Sequence, residues 1–142
     1  MQTPAGREVR CGKRALPARM LLAYRKSSYE AGGIEVHIGR RSLAMDRLLS
    51  SHGVREAAFI TAYNPFSRVM PPGWNRRMQT RLVQVLRRRP ILPAQGSWRG
   101  WYEAHVLVLG DARWVRRQIR LFRQNGIVIV RSGQPPRLFV AS

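Results

Sequence analysis

Ala57-Ala58-Phe59-Ile60-Thr61-Ala62-Tyr63-Asn64-Pro65 is the stretch on which the fold turns. Residues 57–62 are apolar apart from Thr61 and too few for a stable helix, so they predict a buried strand. Asn64-Pro65 then forces a turn, because Pro restricts the residue before it and Asn tolerates turn geometry. A hydrophobic strand that ends in Thr and Asn is where sheet proteins often place ligand sites.

Downstream, Pro71-Pro72-Gly73 reads as a loop and residues 74–89 as a helix. Its apolar stripe is Met78, Leu82, Val85 and Leu86, and Pro90 stops it. A loop through Pro93, Gly96 and Gly100 leads to a strand over 102–109. Asp111 caps a helix running to Gln124, with Asn125-Gly126 as its C-cap. Strands follow at 127–130 and, after Pro135-Pro136, at the sheet edge over 137–140. Upstream, Ser42 caps a helix to His52 with Leu43, Leu48 and Leu49 facing inward and Gly53 closing it. Gly32-Gly33 joins the runs 27–31 and 34–38 as a hairpin, since both turn positions need positive φ. Met20, Leu21 and Tyr24 mark a short helix over 17–26. The expectation is an α/β (α+β) domain over residues 18–142, with a mixed sheet of about five or six strands flanked by three to four helices. Residues 1–17, with Pro4, Gly6, Gly12 and Pro17 and no apolar period, read as a flexible basic tail. Met20 opens the first apolar stretch and is a second candidate start of translation.

Charge points to a partner. The chain has 26 basic side chains against 7 acidic ones, a net charge of +19, and all the basic ones except Lys13 and Lys26 are arginine. Arginine codons are GC-rich, so the choice of Arg over Lys carries little weight; the imbalance itself does. It favours polyanions, with RNA or DNA first and an acidic protein as a further option. At 100° per residue, Arg113, Arg116, Arg117, Arg120 and Arg123 fall on one side of the last long helix and Val115, Ile119 and Phe122 on the other. Arg76, Arg77, Arg81, Arg87, Arg88 and Arg89 follow the 74–89 stretch without an acidic residue. Trp98, Arg99 and Trp101, read as a loop between the two helices, are candidates to stack on bases. A charge run on a helix is also what any solvated face looks like.

Other classes are excluded or find no support. Cys11 stands alone, so no internal disulfide forms, which fits a reducing compartment. No apolar run nears the ~18 residues of a membrane span and no secretory signal opens the chain, so the cytoplasm is expected and a membrane is not. His37, His52 and His105 are scattered without metal-ligand spacing, and no Gly-rich phosphate loop is present; neither metal nor cofactor is expected.

From Tyr24 to Val130 the chain resembles the small bacterial proteins grouped as domain of unknown function 3293. The resemblance rests on Tyr24, Tyr29, Ile38-Gly39, Thr61-Ala62-Tyr63-Asn64-Pro65 with Ser67, Asn75 and Leu82. It continues with Glu103 leading to Leu109-Gly110, and with Phe122-Arg123-Gln124-Asn125-Gly126-Ile127-Val128. Two departures stand out: Gly126 and His105 replace an alanine and a small hydroxyl residue. The resemblance implies no activity, but its polar residues define a candidate ligand site: Thr61, Asn64, Asn75, Glu103, Gln124 and Asn125. Turn and cap roles compete with that reading, an Asx-turn for Asn64 and a helix cap for Asn125-Gly126. Glu103 either pairs with an arginine or orients a ligand or acts as a general base. Glu103 and His105, two apart on a strand, share a face and are the candidate catalytic pair; with arginine they are the parts of a metal-free nuclease. The first reading is a non-catalytic module binding nucleic acid or another polyanion. The alternative is an enzyme or small-ligand binder using Thr61, Asn64, Glu103 and Gln124.

Overall fold

The computed structural model describes residues 10–11, 14–64 and 67–141. Pro65 and most of the expected tail over 1–17 lie outside the described residues. Within that tail, β1 (Arg10–Cys11) pairs antiparallel with β2 (Arg14–Ala15). Leu16 is buried against Leu21 and Val140.

The rest is an α+β arrangement of four helices and a seven-stranded sheet. Its elements are α1 (Ala18–Lys26), β3 (Ser28–Ala31), β4 (Ile34–Val36), α2 (Leu43–Ser51), β5 (Glu56–Ile60) and α3 (Pro72–Val85), then β6 (Ile91–Trp98), β7 (Trp101–Leu109), α4 (Arg113–Leu121), β8 (Gly126–Arg131) and β9 (Arg137–Val140). The strand order is β4-β3-β6-β7-β5-β8-β9, and every neighbouring pair is antiparallel. The sheet is therefore neither mixed nor limited to five or six strands.

One strand accounts for both differences. β6 occupies the stretch read as a loop, and it turns back into β7 through Arg99-Gly100, whose φ angles of 51° and 80° suit a two-residue hairpin. That extra reversal sends β7 antiparallel to β5, where a direct helical crossover from β5 would have made it parallel. Pro93 is tolerated because it pairs with Val106 one residue past the last β3 partner, Ala31 with Ala94. Trp98, Arg99 and Trp101 consequently sit at a hairpin end, not in a loop between the basic helices.

Alternation along the central strands separates two apolar layers. Ala58, Ile60, Val106, Val108, Ile127 and Ile129 pack on Leu82 of α3, on Leu86 just past its end, and on Val115 and Ile119 of α4. Ala57, Phe59, Leu107, Leu109, Val128 and Val130 face the other way, onto Met45 and Leu49 of α2. Some inward positions differ from the periodicity. Leu43 is 60% exposed and Met45 takes the buried place, since Leu43 sits in the first helical position just past the Ser42 cap. Val85 is likewise exposed at the end of α3, where Leu86 already leaves the helix. Arg87, Arg88 and Arg89 thus lie in the following turn. Helix α4 stops at Leu121, and Arg123 adopts a left-handed φ of 52°, so Arg123 leaves the basic stripe and Asn125-Gly126 is not the cap.

Gly126 instead opens β8, and its lack of a side chain has a local cause. A Cβ there would sit 2.7 Å from the Phe139 carbonyl oxygen and 3.0 Å from Leu138 Cδ1 on the paired strand β9. Gly126→Ala is expected to cost about 1–3 kcal/mol through this overpacking, read as a lower urea midpoint with an unchanged slope. An unchanged midpoint would show that β9 gives way freely.

Candidate functional site

Beyond Ile60 the chain leaves the sheet and must turn without ladder partners for its backbone, and polar side chains supply them. Thr61 Oγ1 donates to the Ala104 carbonyl at 2.6 Å and accepts from the Tyr63 N–H at 3.1 Å. The Ala62 N–H donates to Gln79 Oε1 at 2.9 Å. Asn64 holds a left-handed φ of 46° and is locked by a reciprocal pair with Asn75. Its N–H donates to Asn75 Oδ1 at 3.0 Å, and Asn75 Nδ2 donates to Asn64 Oδ1 at 2.9 Å. The Met70 N–H also donates to Asn64 Oδ1, at 3.0 Å. Gln124 Nε2 reaches the Tyr63 carbonyl at 3.0 Å, and Asn125 Nδ2 reaches Ser67 Oγ at 3.0 Å. Residues far apart in the chain thus converge on one loop, and Thr61, Asn75, Gln124 and Asn125 are all buried there.

This loop, α1 and the adjoining end of the sheet form an open-mouthed cavity of about 520 Å³. Thr61, Asn64, Glu103, His105 and Gln124 line it, together with Trp98 and Trp101. Asn75 and Asn125 do not; they brace the loop from behind. Among the described residues Glu103 is the cavity's sole acid, and Asn64 Nδ2 donates to its Oε2 at 2.7 Å. Burial pushes the Glu103 carboxyl above the ordinary glutamate value, while the Asn64 hydrogen bond pulls it partly back. His105 packs edge-on against Tyr29, with ring centroids 5.8 Å apart, and burial lowers its pKa to about 4. It is therefore neutral at pH 7. Its Nδ1 lies 3.1 Å from the Glu103 carbonyl, which only accepts, so Nδ1 carries the proton and Nε2 keeps a lone pair. Burial raises the Tyr24 and Tyr29 hydroxyls, leaving both protonated.

A family model described as a protein of unknown function, DUF3293, matches residues 60–127. The chain resembles the DUF3293 family. The matched span contains the whole polar set, from Thr61 to Asn125, and is shorter than the resemblance read from Tyr24 to Val130. No curated protein and no solved structure is detectably similar to the chain.

The arginines lie elsewhere. Arg76, Arg77 and Arg81 on α3 and Arg113, Arg116, Arg117 and Arg120 on α4 belong to the opposite side of the sheet, and among the described residues Arg19 is the one arginine lining the cavity. No group of three or more His, Cys, Asp and Glu side chains suited to a metal exists among the described residues. None of the described helices is long and apolar enough to cross a membrane. Two participants escape a reading of the sequence. Gln79 had a usable signal, being a polar residue on the buried stripe with Leu82 and Leu86 at i, i+3 and i+7. Gly96 had none: it pairs with both Tyr29 and Glu103, and a Cβ there would fall 2.7 Å from His105 Cε1, so its lack of a side chain makes room for the imidazole.

Proposed function

We propose that the cavity binds a small planar organic molecule bearing a positive charge or paired N–H donors, with Glu103 as the recognising group. One observation carries the reading. In a chain of net charge +19, Glu103 is partly buried, and among the described residues no basic group lies within ion-pair distance of it. A carboxylate kept from so many guanidinium groups is available to a ligand. His105 Nε2, two residues along the same strand face, adds a second acceptor. Trp98, Trp101 and Tyr63 supply aromatic walls suited to a flat or cationic group. The volume of about 520 Å³ falls in the range of small-molecule sites.

The enzyme version rests on the same carboxyl, whose raised pKa moves it toward the working range of a general base. Its nuclease form draws less support. Arg19 is the single arginine lining the cavity among the described residues, and a neutral His105 is a poor general acid at pH 7.

Calorimetric titration with benzamidine and tyramine, against benzoate as the anionic counterpart, tests the reading. Binding of the cations, a loss of at least about tenfold in Glu103→Gln, and no binding of benzoate are expected. Equal binding of benzoate, or an unchanged Glu103→Gln variant, would overturn it. Stability gives a readout independent of ligand. A carboxyl with a raised folded pKa makes the folded state hold more protons than the unfolded one. Its stability is complete below the unfolded value of about 4.3 and is lost as pH rises through the folded pKa. Glu103→Gln is therefore expected to melt higher than wild type at pH 7, with the difference vanishing near pH 4.

A further inference from the structure

The sequence between Glu56 and Glu103 contains no acidic residue, and none follows Asp111. The structure gathers part of this imbalance into a built feature. On α4, Arg116, Arg117 and Arg120 line a cleft of about 300 Å³ against Phe139 and Ala141, with no acid among its walls in the described residues. The Arg116 guanidinium lies over the Phe139 ring at 4.5 Å, which fixes its orientation, and its buried Nε has no hydrogen-bond partner among the described residues. Arg117 and Arg120 are exposed beside it. Arg113, one turn earlier, is already held by Asp111 at 2.7 Å. Toward α3, Arg89 stacks on Trp114 at 3.8 Å, and Arg76, Arg77 and Arg81 are exposed on that helix.

We propose that the Arg116–Arg117–Arg120 cleft seats a backbone phosphate of nucleic acid. The ring-fixed guanidinium is pre-organised for an anion, and Arg presents paired N–H donors that match phosphate oxygens. A polymer of uniform negative charge fits better than an acidic protein. Basic groups continue from the cleft toward α3, whereas the exposed large apolar residues of α3 and α4 are only Leu121, Val83 and Val85, too few for the apolar centre of a protein interface. Phosphate contacts of this kind hold and orient without reading sequence.

The test is fluorescence anisotropy of the full chain with a fluorescein-labelled mixed-sequence DNA duplex between about 50 and 200 mM salt. Wild type is expected to bind at low salt and to weaken steeply as salt rises. The paired substitution Arg117→Ala/Arg120→Ala, at exposed positions that leave the fold intact, is expected to weaken binding at least about tenfold and to lower the salt slope by about two. The control Arg40→Ala/Arg47→Ala removes the same charge from exposed positions beside α2, across the sheet, and is expected to change both far less. Absence of binding at low salt, an equal loss in the control, or competition by polyglutamate as effective as by unlabelled duplex would each overturn the proposal.

Discussion

Asn64→Ala is expected to destabilise the chain by about 3–4 kcal/mol, a large share of the stability of a small domain. The amide makes three hydrogen bonds at once: from Met70 N–H, from Asn75 Nδ2 and to Glu103 Oε2. Truncation leaves Asn75 Nδ2, in a side chain only 5% exposed, with the Met70 carbonyl at 3.4 Å as its remaining acceptor. It also asks alanine to hold the φ of 46°, which costs about 1–2 kcal/mol for a residue with an ordinary Cβ. Asn64→Gly removes the same hydrogen bonds but accepts that φ, so it should recover roughly 1 kcal/mol of the loss. Urea unfolding of the three proteins measures both effects. A midpoint for Asn64→Ala within about 0.5 kcal/mol of wild type would mean that the loop is held by other contacts.

The second large effect is on acid stability. His105 titrates near 4 when folded and near 6.5 when unfolded, because burial opposes its charged form. Between those values the unfolded chain holds more protons, so stability rises with pH across the window and is lost as pH falls from about 6.5 to about 4. The shift corresponds to about 2–3 kcal/mol after allowance for access through the cavity. Glu103, whose pKa burial raises, slopes the opposite way above the unfolded glutamate value, so the measurement belongs in the Glu103→Gln background. There, the pH dependence should be steep with His105 present and nearly flat in His105→Ser. Parallel pH profiles for the two would place the titration elsewhere.

Local signals in the sequence carried much of the fold. Gly32-Gly33 makes the expected hairpin, with φ angles of 58° and 79°, and Ser42 caps α2 by accepting the Met45 N–H at 3.0 Å. Both depend on neighbours in the chain. Strand β6 was hidden because Pro93 and Gly96 interrupt its alternation, and the reasons for both lie in other strands: where β3 ends, and where His105 needs room. The polar residues of the site were legible as a set, from Thr61 to Asn125, but not their division of labour. Which ones face the cavity follows from the register of β7 against β6 and β5, a non-local property. The same holds for the arginines. Periodicity put them on one side of α4, but only the sheet determines that this side looks away from Glu103.

A single layer of strands therefore stands between two kinds of chemistry, one built on acceptors and aromatic rings and the other on guanidinium groups. An occupant of the cavity and a polymer lying along α4 would touch no common side chain and meet opposite electrostatic environments. Taken together, the two proposals make the chain a two-sided tag, one that would carry a small molecule on one surface while resting on a polyanion with the other.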